Sequence, residues 1–136
     1  MFPKKLFGVL LVFIVLVTMC SVFAVEDSFT KSCDPLDYKQ VEKNSAKFMG
    51  DHVQVNGTVF QIMEDPDGYG LILMHVDDDY GQIMAVMYEG SNDILEDDYI
   101  TVYGNMTIDY SYESQAGYQL SVPCMLAESK YIEEIE

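Results

Sequence analysis

The sequence predicts a mainly all-β fold, a small closed barrel of five strands preceded by a short N-terminal helix. Three observations predict it. From His52 onward the apolar residues recur with period two instead of helical spacing. Turns rich in Asp and Gly at 64–70 and 77–81, and a loop at 109–117, cut the chain into runs of strand length. The first run is long and holds Gly57 inside it, where a strand bends or bulges.

The elements follow in order. Lys4 and Lys5 precede the apolar run Leu6–Met19, and Val22-Phe23-Ala24 suits a cleavage site, so residues 1–24 read as a secretory signal. Two alternatives stay open. The run Leu6–Val25 is uncharged and, at about 1.5 Å per residue, long enough to remain as a membrane anchor. A lipid-modified Cys20 is the other, although bulky Met19 stands where a lipoprotein signal wants a small residue. In each case Lys4 and Lys5 stay inside. The expected location is therefore secreted, or membrane-anchored and facing the extracytoplasmic side, with the membrane touched only through the N-terminal segment. Residues 25–33 read as a tether and 34–136 as the domain.

Asp34-Pro35 signals a helix start, because Asp caps free amides and Pro suits the first helical position. Leu36, Tyr38 and Val41 predict a helix over about 36–47, ended by Gly50. Strands are expected at 52–63 with a bulge at Gly57, then at 71–76, 82–88, 98–108 and 118–127. The end, 128–136, reads as an acidic tail. Closure of five strands removes edges that would otherwise aggregate. The OB-fold is the favoured barrel, and a five-stranded SH3-like barrel the runner-up.

Charge excludes more than it suggests. All seven basic residues are lysines, against 23 Asp and Glu, for a net charge of −16. Beyond Ala24, 23 acids face five lysines, leaving −18. Such a domain repels a phosphate backbone and has no guanidinium to grip one, so nucleic acid is excluded as a partner. With Cys20 in the signal, Cys33 and Cys124 remain. An even pair in an exported domain suggests a disulfide closing a long loop, the alternative being two buried thiols.

Tyr38-x-x-Val41-x-x-Asn44, Phe48-Met49-Gly50, Val53-x-Val55-x-Gly57-x-Val59-x-Gln61 and Ile94 through Gly104 together resemble small exported OB-fold proteins of bacteria and archaea, similar to the anticodon-binding-like OB domain. The resemblance spans most of 36–127. It implies a fold and an exported location, not an activity. Val86-Met87-Tyr88-Glu89-Gly90 and Met125-Leu126-Ala127 also look like strands of the haem chaperone of cytochrome c maturation. That family needs a histidine just after the last strand, and Glu128-Ser129-Lys130-Tyr131 has none.

No catalytic constellation stands out. His52 and His75 lie in strands without an evident nucleophile, and no carboxylate pair is singled out among the acids. Asp65 with Asp67 and Asp77 with Asp79 sit in acidic turns that suit a hard cation such as calcium, weakly held; the same residues favour turns without any metal. Tyr69 in the first hairpin turn, and Tyr110, Tyr112 and Tyr118 around the last loop, offer flat rings with hydroxyls at the loops that flank an OB-fold's ligand face. The methionines beyond the signal read mostly as core filler. The expected function is a non-catalytic extracytoplasmic binding or interaction module without a cofactor, its partner an extracellular protein, peptide or glycan. The alternative is an acidic surface domain that binds divalent cations such as calcium.

Overall fold

The structure is a computed structural model and describes residues 28–135. The signal or anchor expected at 1–24 lies outside the described residues. Within the expected tether, 28–32 are helical, with the Ser32 hydroxyl donating to the Phe29 carbonyl at 2.6 Å. These residues belong to a unit separate from the one that begins at Cys33. Among the described residues no helix is long and apolar enough to cross a membrane.

The second unit is mostly β. Its elements are β1 (Asp34–Pro35), α1 (Tyr38–Lys43), a 3-10 turn (Ser45–Phe48), β2 (His52–Glu64), β3 (Tyr69–Val76), β4 (Ile83–Glu89), β5 (Tyr99–Glu113), β6 (Gln119–Glu128), a second 3-10 turn (Ser129–Tyr131) and β7 (Ile132–Glu134). One sheet runs β1-β2-β3-β4-β6-β5-β7, and β2 also pairs with β5, so β2, β3, β4, β6 and β5 form a closed ring. The β4–β6 pair is parallel, and the ring's other pairs are antiparallel.

The ring closes because β2 serves two partners. Its first half pairs with β5 from His52 to Thr58, and its second half with β3 from Gly57 to Glu64. Gly57 is the changeover, opposite both Ile100 and Val76. A Cβ there would overlap the His75 carbonyl oxygen, so only glycine permits the approach. The bulge itself falls two residues later, between Val59 and Gln61, and not at Gly57. Gly57 marks close strand crossing, a different use of the same residue.

Alternation divides the strand residues. One set fills the ring, including Val55, Val59, Ile72, Met74, Met84, Val86, Ile100, Val102 and Met125, all 2% exposed or less. Removing such side chains from water drives the fold, at roughly 25 cal/mol per Å² buried. Helix α1 adds Tyr38 and Val41 to this core. The Tyr38 hydroxyl donates to the Ile83 carbonyl at 2.9 Å and accepts from the Ile83 N–H at 3.1 Å, fastening the helix to the start of β4. Burial pushes this phenol's pKa above its ordinary value, and the backbone contact only partly opposes it.

Several expectations are corrected. Asp37, not Asp34, caps the helix, its carboxylate accepting from the Gln40 N–H at 3.4 Å. Asp34-Pro35 instead pairs in parallel with Val53-Gln54, at a sheet margin where proline's missing N–H does no harm. The expected loop at 109–117 is largely strand, since β5 and β6 run on as a two-stranded arm to a turn near Ser114–Gly117. The acidic tail returns as β7, pairing with β5 at Ile100–Val102.

No disulfide joins Cys33 and Cys124, and both are buried thiols. Cys33 leads into β1 at the sheet margin, three strand steps from β6 by way of β2 and β5. Cys124 is held in mid-strand among apolar neighbours. A disulfide needs the two Cα atoms within about 7 Å and facing Cβ vectors, which this placement does not supply.

Candidate functional site

The residues that alternate with the core point away from the ring, and on β3, β4 and β6 they are apolar as well. Strand pairing aligns them in rows. Met63, Leu71, Met87 and Leu126 stand opposite one another across β2, β3, β4 and β6. The adjacent row is Gln61, Leu73, Ala85, Cys124 and Thr107. Beyond the first row comes Tyr69, Glu89 and Glu128.

The two apolar rows differ in cover. Leu73, Ala85 and Cys124 are at most 1% exposed and form a second apolar cluster with Leu71 and Val122, against which Phe60, Ile83, Tyr110 and Tyr112 pack. The row above stays open: Met63 is 40% exposed, Met87 43% and Leu126 49%, with Tyr69 at 55% beside them. Single exposed apolar residues need no explanation; here three of the row's four, Met63, Met87 and Leu126, are exposed together, while Leu71 between Met63 and Met87 is buried. Burial pushes the Cys124 thiol up to about 11, and Asp109 adds to the rise. Cys124 is therefore a packed apolar group rather than a nucleophile.

A cleft lies on the face of β2 opposite to the open row. Ile62 and Glu64 flank Met63 in β2, and with Asn92, Asp93, Ile94 and Leu95 they border a cavity of about 680 Å³. Tyr88 lies beneath it, its ring across Gly70, where a Cβ would overlap the phenol. Its hydroxyl donates to Glu64 Oε1 at 2.9 Å, which fixes that carboxylate at the cleft. Burial first, then the Glu64 carboxylate, pushes the Tyr88 phenol up to about 12, so it remains a donor at any ordinary pH.

The tyrosines singled out in the sequence are not gathered. Tyr110 and Tyr112 lie in β5, not in a loop, and stack with centroids 5.9 Å apart. Tyr118 is 70% exposed at the tip of the arm. Tyr69 aligns with Glu128 through Glu89, whereas Tyr112 is opposite Leu120. Those positions of β6 are eight residues apart, roughly 25 Å along the strand, so one small ligand does not reach both. Only Tyr69 adjoins the open row.

The aspartates serve their own turns. Asp65 Oδ1 accepts from the N–H groups of Asp67 and Tyr69, both at 3.0 Å, and Asp79 Oδ1 from Gly81 at 2.9 Å. Asp77 and Asp78 take positive φ in the β3–β4 turn, with Asp78 accepting from the Thr58 hydroxyl at 2.6 Å. The Asp65–Asp67 and Asp77–Asp79 turns lie at opposite ends of β3. Among the described residues no group of three or more His, Cys, Asp or Glu side chains is placed to hold a metal ion. His75 is sandwiched, stacked on Phe60 at 4.3 Å and edge-on to Tyr80 at 4.8 Å.

Met63, Met87, Leu126, Glu64 and Tyr88 are absent from the sequence-based candidates. The signal for the first three is nevertheless present. Leu71–Met74 and Ile83–Met87 are unbroken apolar runs, and such a run fills both faces of a strand. In a closed ring one of those faces lies outside. A scan against protein-family models matches none, and no curated protein matches the chain.

Proposed function

We propose that this chain is an exported, non-catalytic binding module of the OB-fold type, with the open row Met63–Leu71–Met87–Leu126 as its working surface. The fold assignment is supported by the ring's order: counted along the ring, its strands run first, second, third, fifth, fourth and back to first, with the third and fifth parallel. A five-stranded Greek-key barrel of the OB type has this connectivity. The connection Gly90–Asp98 is a polar loop, and the helix precedes the ring instead of interrupting it.

The observation that carries the function is the exposure of Met63, Met87 and Leu126 in one row on the outside of a ring whose inside is already filled. A protein gains no folding stability from side chains left in water, whereas a partner that covers them gains about 25 cal/mol per Å² of apolar area, less the cost of association. Methionine suits this role because its unbranched thioether adapts to different surfaces. The export reading rests on the N-terminal sequence pattern.

The test is a peptide and glycan array probed with the full chain and with Met87→Glu/Leu126→Glu. Specific hits that disappear in the double variant support the reading. Hits of undiminished strength in a folded double variant place the working surface elsewhere and overturn it, as does turnover of any array component.

A further inference from the structure

We infer that the partner of the open face is a cationic, amphipathic peptide segment of another protein. This rests on the face being the working surface. Carboxylates border the apolar row. Glu89 and Glu128 stand in the next row on the same face, one strand step apart. Lys130 places Nζ 3.4 Å from Glu128 Oε2 in an exposed pair, which is energetically weak.

Charge then decides among occupants. A second copy brings the same acidic domain, with 23 acids against five lysines beyond Ala24, and meets its own repulsion. An anionic lipid surface meets the same carboxylates and is repelled. A neutral apolar peptide covers the row but brings no countercharge to Glu89 and Glu128 at its margin, at a cost in affinity. A segment that lays Leu-like side chains along Met63, Leu71, Met87 and Leu126 and sets Lys or Arg at its margins satisfies both chemistries.

The experiment uses the full chain in nanodiscs of zwitterionic lipid, with empty discs as the blank, and three labelled 12-residue peptides read by fluorescence anisotropy. One alternates Lys and Leu, one replaces every Lys by Glu, and one replaces every Leu by Ser. The Lys–Leu peptide is expected to bind at least tenfold tighter than either of the others. Its affinity should fall about tenfold in Glu89→Gln/Glu128→Gln, with a shallower salt dependence, and vanish in Met87→Glu/Leu126→Glu. Both double variants change exposed side chains, and circular dichroism verifies their fold. Equal binding of the Glu–Leu peptide overturns the cationic inference and leaves the apolar face standing. Equal binding of the Lys–Ser peptide, or undiminished binding by the Met87→Glu/Leu126→Glu protein, shows diffuse attraction to a polyanion and overturns both. Failure of all three to bind overturns the inference, as does tighter binding of anionic vesicles.

Discussion

Single residues carry the tightest constraints in this fold, and glycine is the clearest case. At Gly57 and Gly104 an added Cβ would overlap a backbone carbonyl oxygen, of His75 and Leu126 respectively. Backbone in a paired strand does not swing aside as a side-chain tip does. Gly57→Ala is therefore expected to lose about 3 kcal/mol or more of stability in urea titration, at the high end for point changes. Gly68 has open space around it and a φ of +90°, so Gly68→Ala should lose only about 1 kcal/mol, from backbone strain alone. Equal losses would remove close strand approach as the reason for Gly57. The buried acids give a pH signature with a definite sign. Cys124 is raised to about 11 and Tyr88 to about 12 in the folded state. Each protonated form is the one the fold accommodates, so stability is full below the ordinary thiol and phenol values. It is lost as the unfolded chain ionises first. The melting temperature should fall from pH 9 to 11 through Cys124 and from pH 10 to 12 through Tyr88. Cys124→Ala should remove the part of the decline between pH 9 and 10, and a profile identical to wild type there would exonerate the thiol.

At the scale of elements, β4 shows how one strand divides its labour. Met84 and Met87 lie three residues apart in the same apolar run, yet Met84 is 0% exposed inside the ring and Met87 43% exposed outside it. Met84→Ala should lose about 2–5 kcal/mol, as buried methionine truncations do. Met87→Ala should stay within about 0.5 kcal/mol, as a surface change. Thermal unfolding of the two variants side by side measures the difference, and similar losses would mean that the outer row is structural cover. Strands β2 to β6 were legible because period two, glycine and Asp-rich turns all agree in placing them. The helix boundary was less so: Asp34-Pro35 and Asp37 carry similar capping chemistry, and only the parallel pairing of β1 with β2 separates them. The arm formed by the ends of β5 and β6 was hidden for a physical reason. Asp109-Tyr110-Ser111-Tyr112-Glu113 has polar residues on one side and tyrosines on the other, and reads as a loop until Tyr110 and Tyr112 are seen to pack on the outer cluster. Tyr38→Phe tests the link between α1 and the ring. It removes the hydroxyl that both donates to and accepts from Ile83, and should lose about 1–3 kcal/mol, the range for a hydrogen-bonded hydroxyl with its partners left behind.

Over the whole molecule, the balance between charge and closure sets the behaviour. The candidate site was only partly legible at this scale, because turn chemistry and metal chemistry use the same aspartates, and only geometry shows Asp65 and Asp79 each giving Oδ1 to neighbouring amides. Likewise, the unbroken apolar runs announce two apolar faces without saying that one of them lies outside a closed ring. A domain with 23 acids and five lysines beyond Ala24 repels itself, which favours expanded states. Salt shortens the range of that repulsion, to about 10 Å at 0.1 M. The melting temperature of the full chain should therefore rise by several degrees between 20 and about 500 mM sodium chloride. This is a shift of ordinary size for ~1–2 kcal/mol in a domain this small. Calcium and magnesium should raise it equally when ionic strength is matched, since among the described residues no three carboxylates converge. A calcium response that exceeds magnesium at matched ionic strength would support a specific calcium site. The acidic turns Asp65–Asp67 and Asp77–Asp79 would then be the first places to substitute, with Asn at each position. That would separate a bound ion from a screened surface, because screening depends on total charge and falls by a small, similar amount with each carboxylate removed, whereas a coordinated ion loses most of its hold with the first.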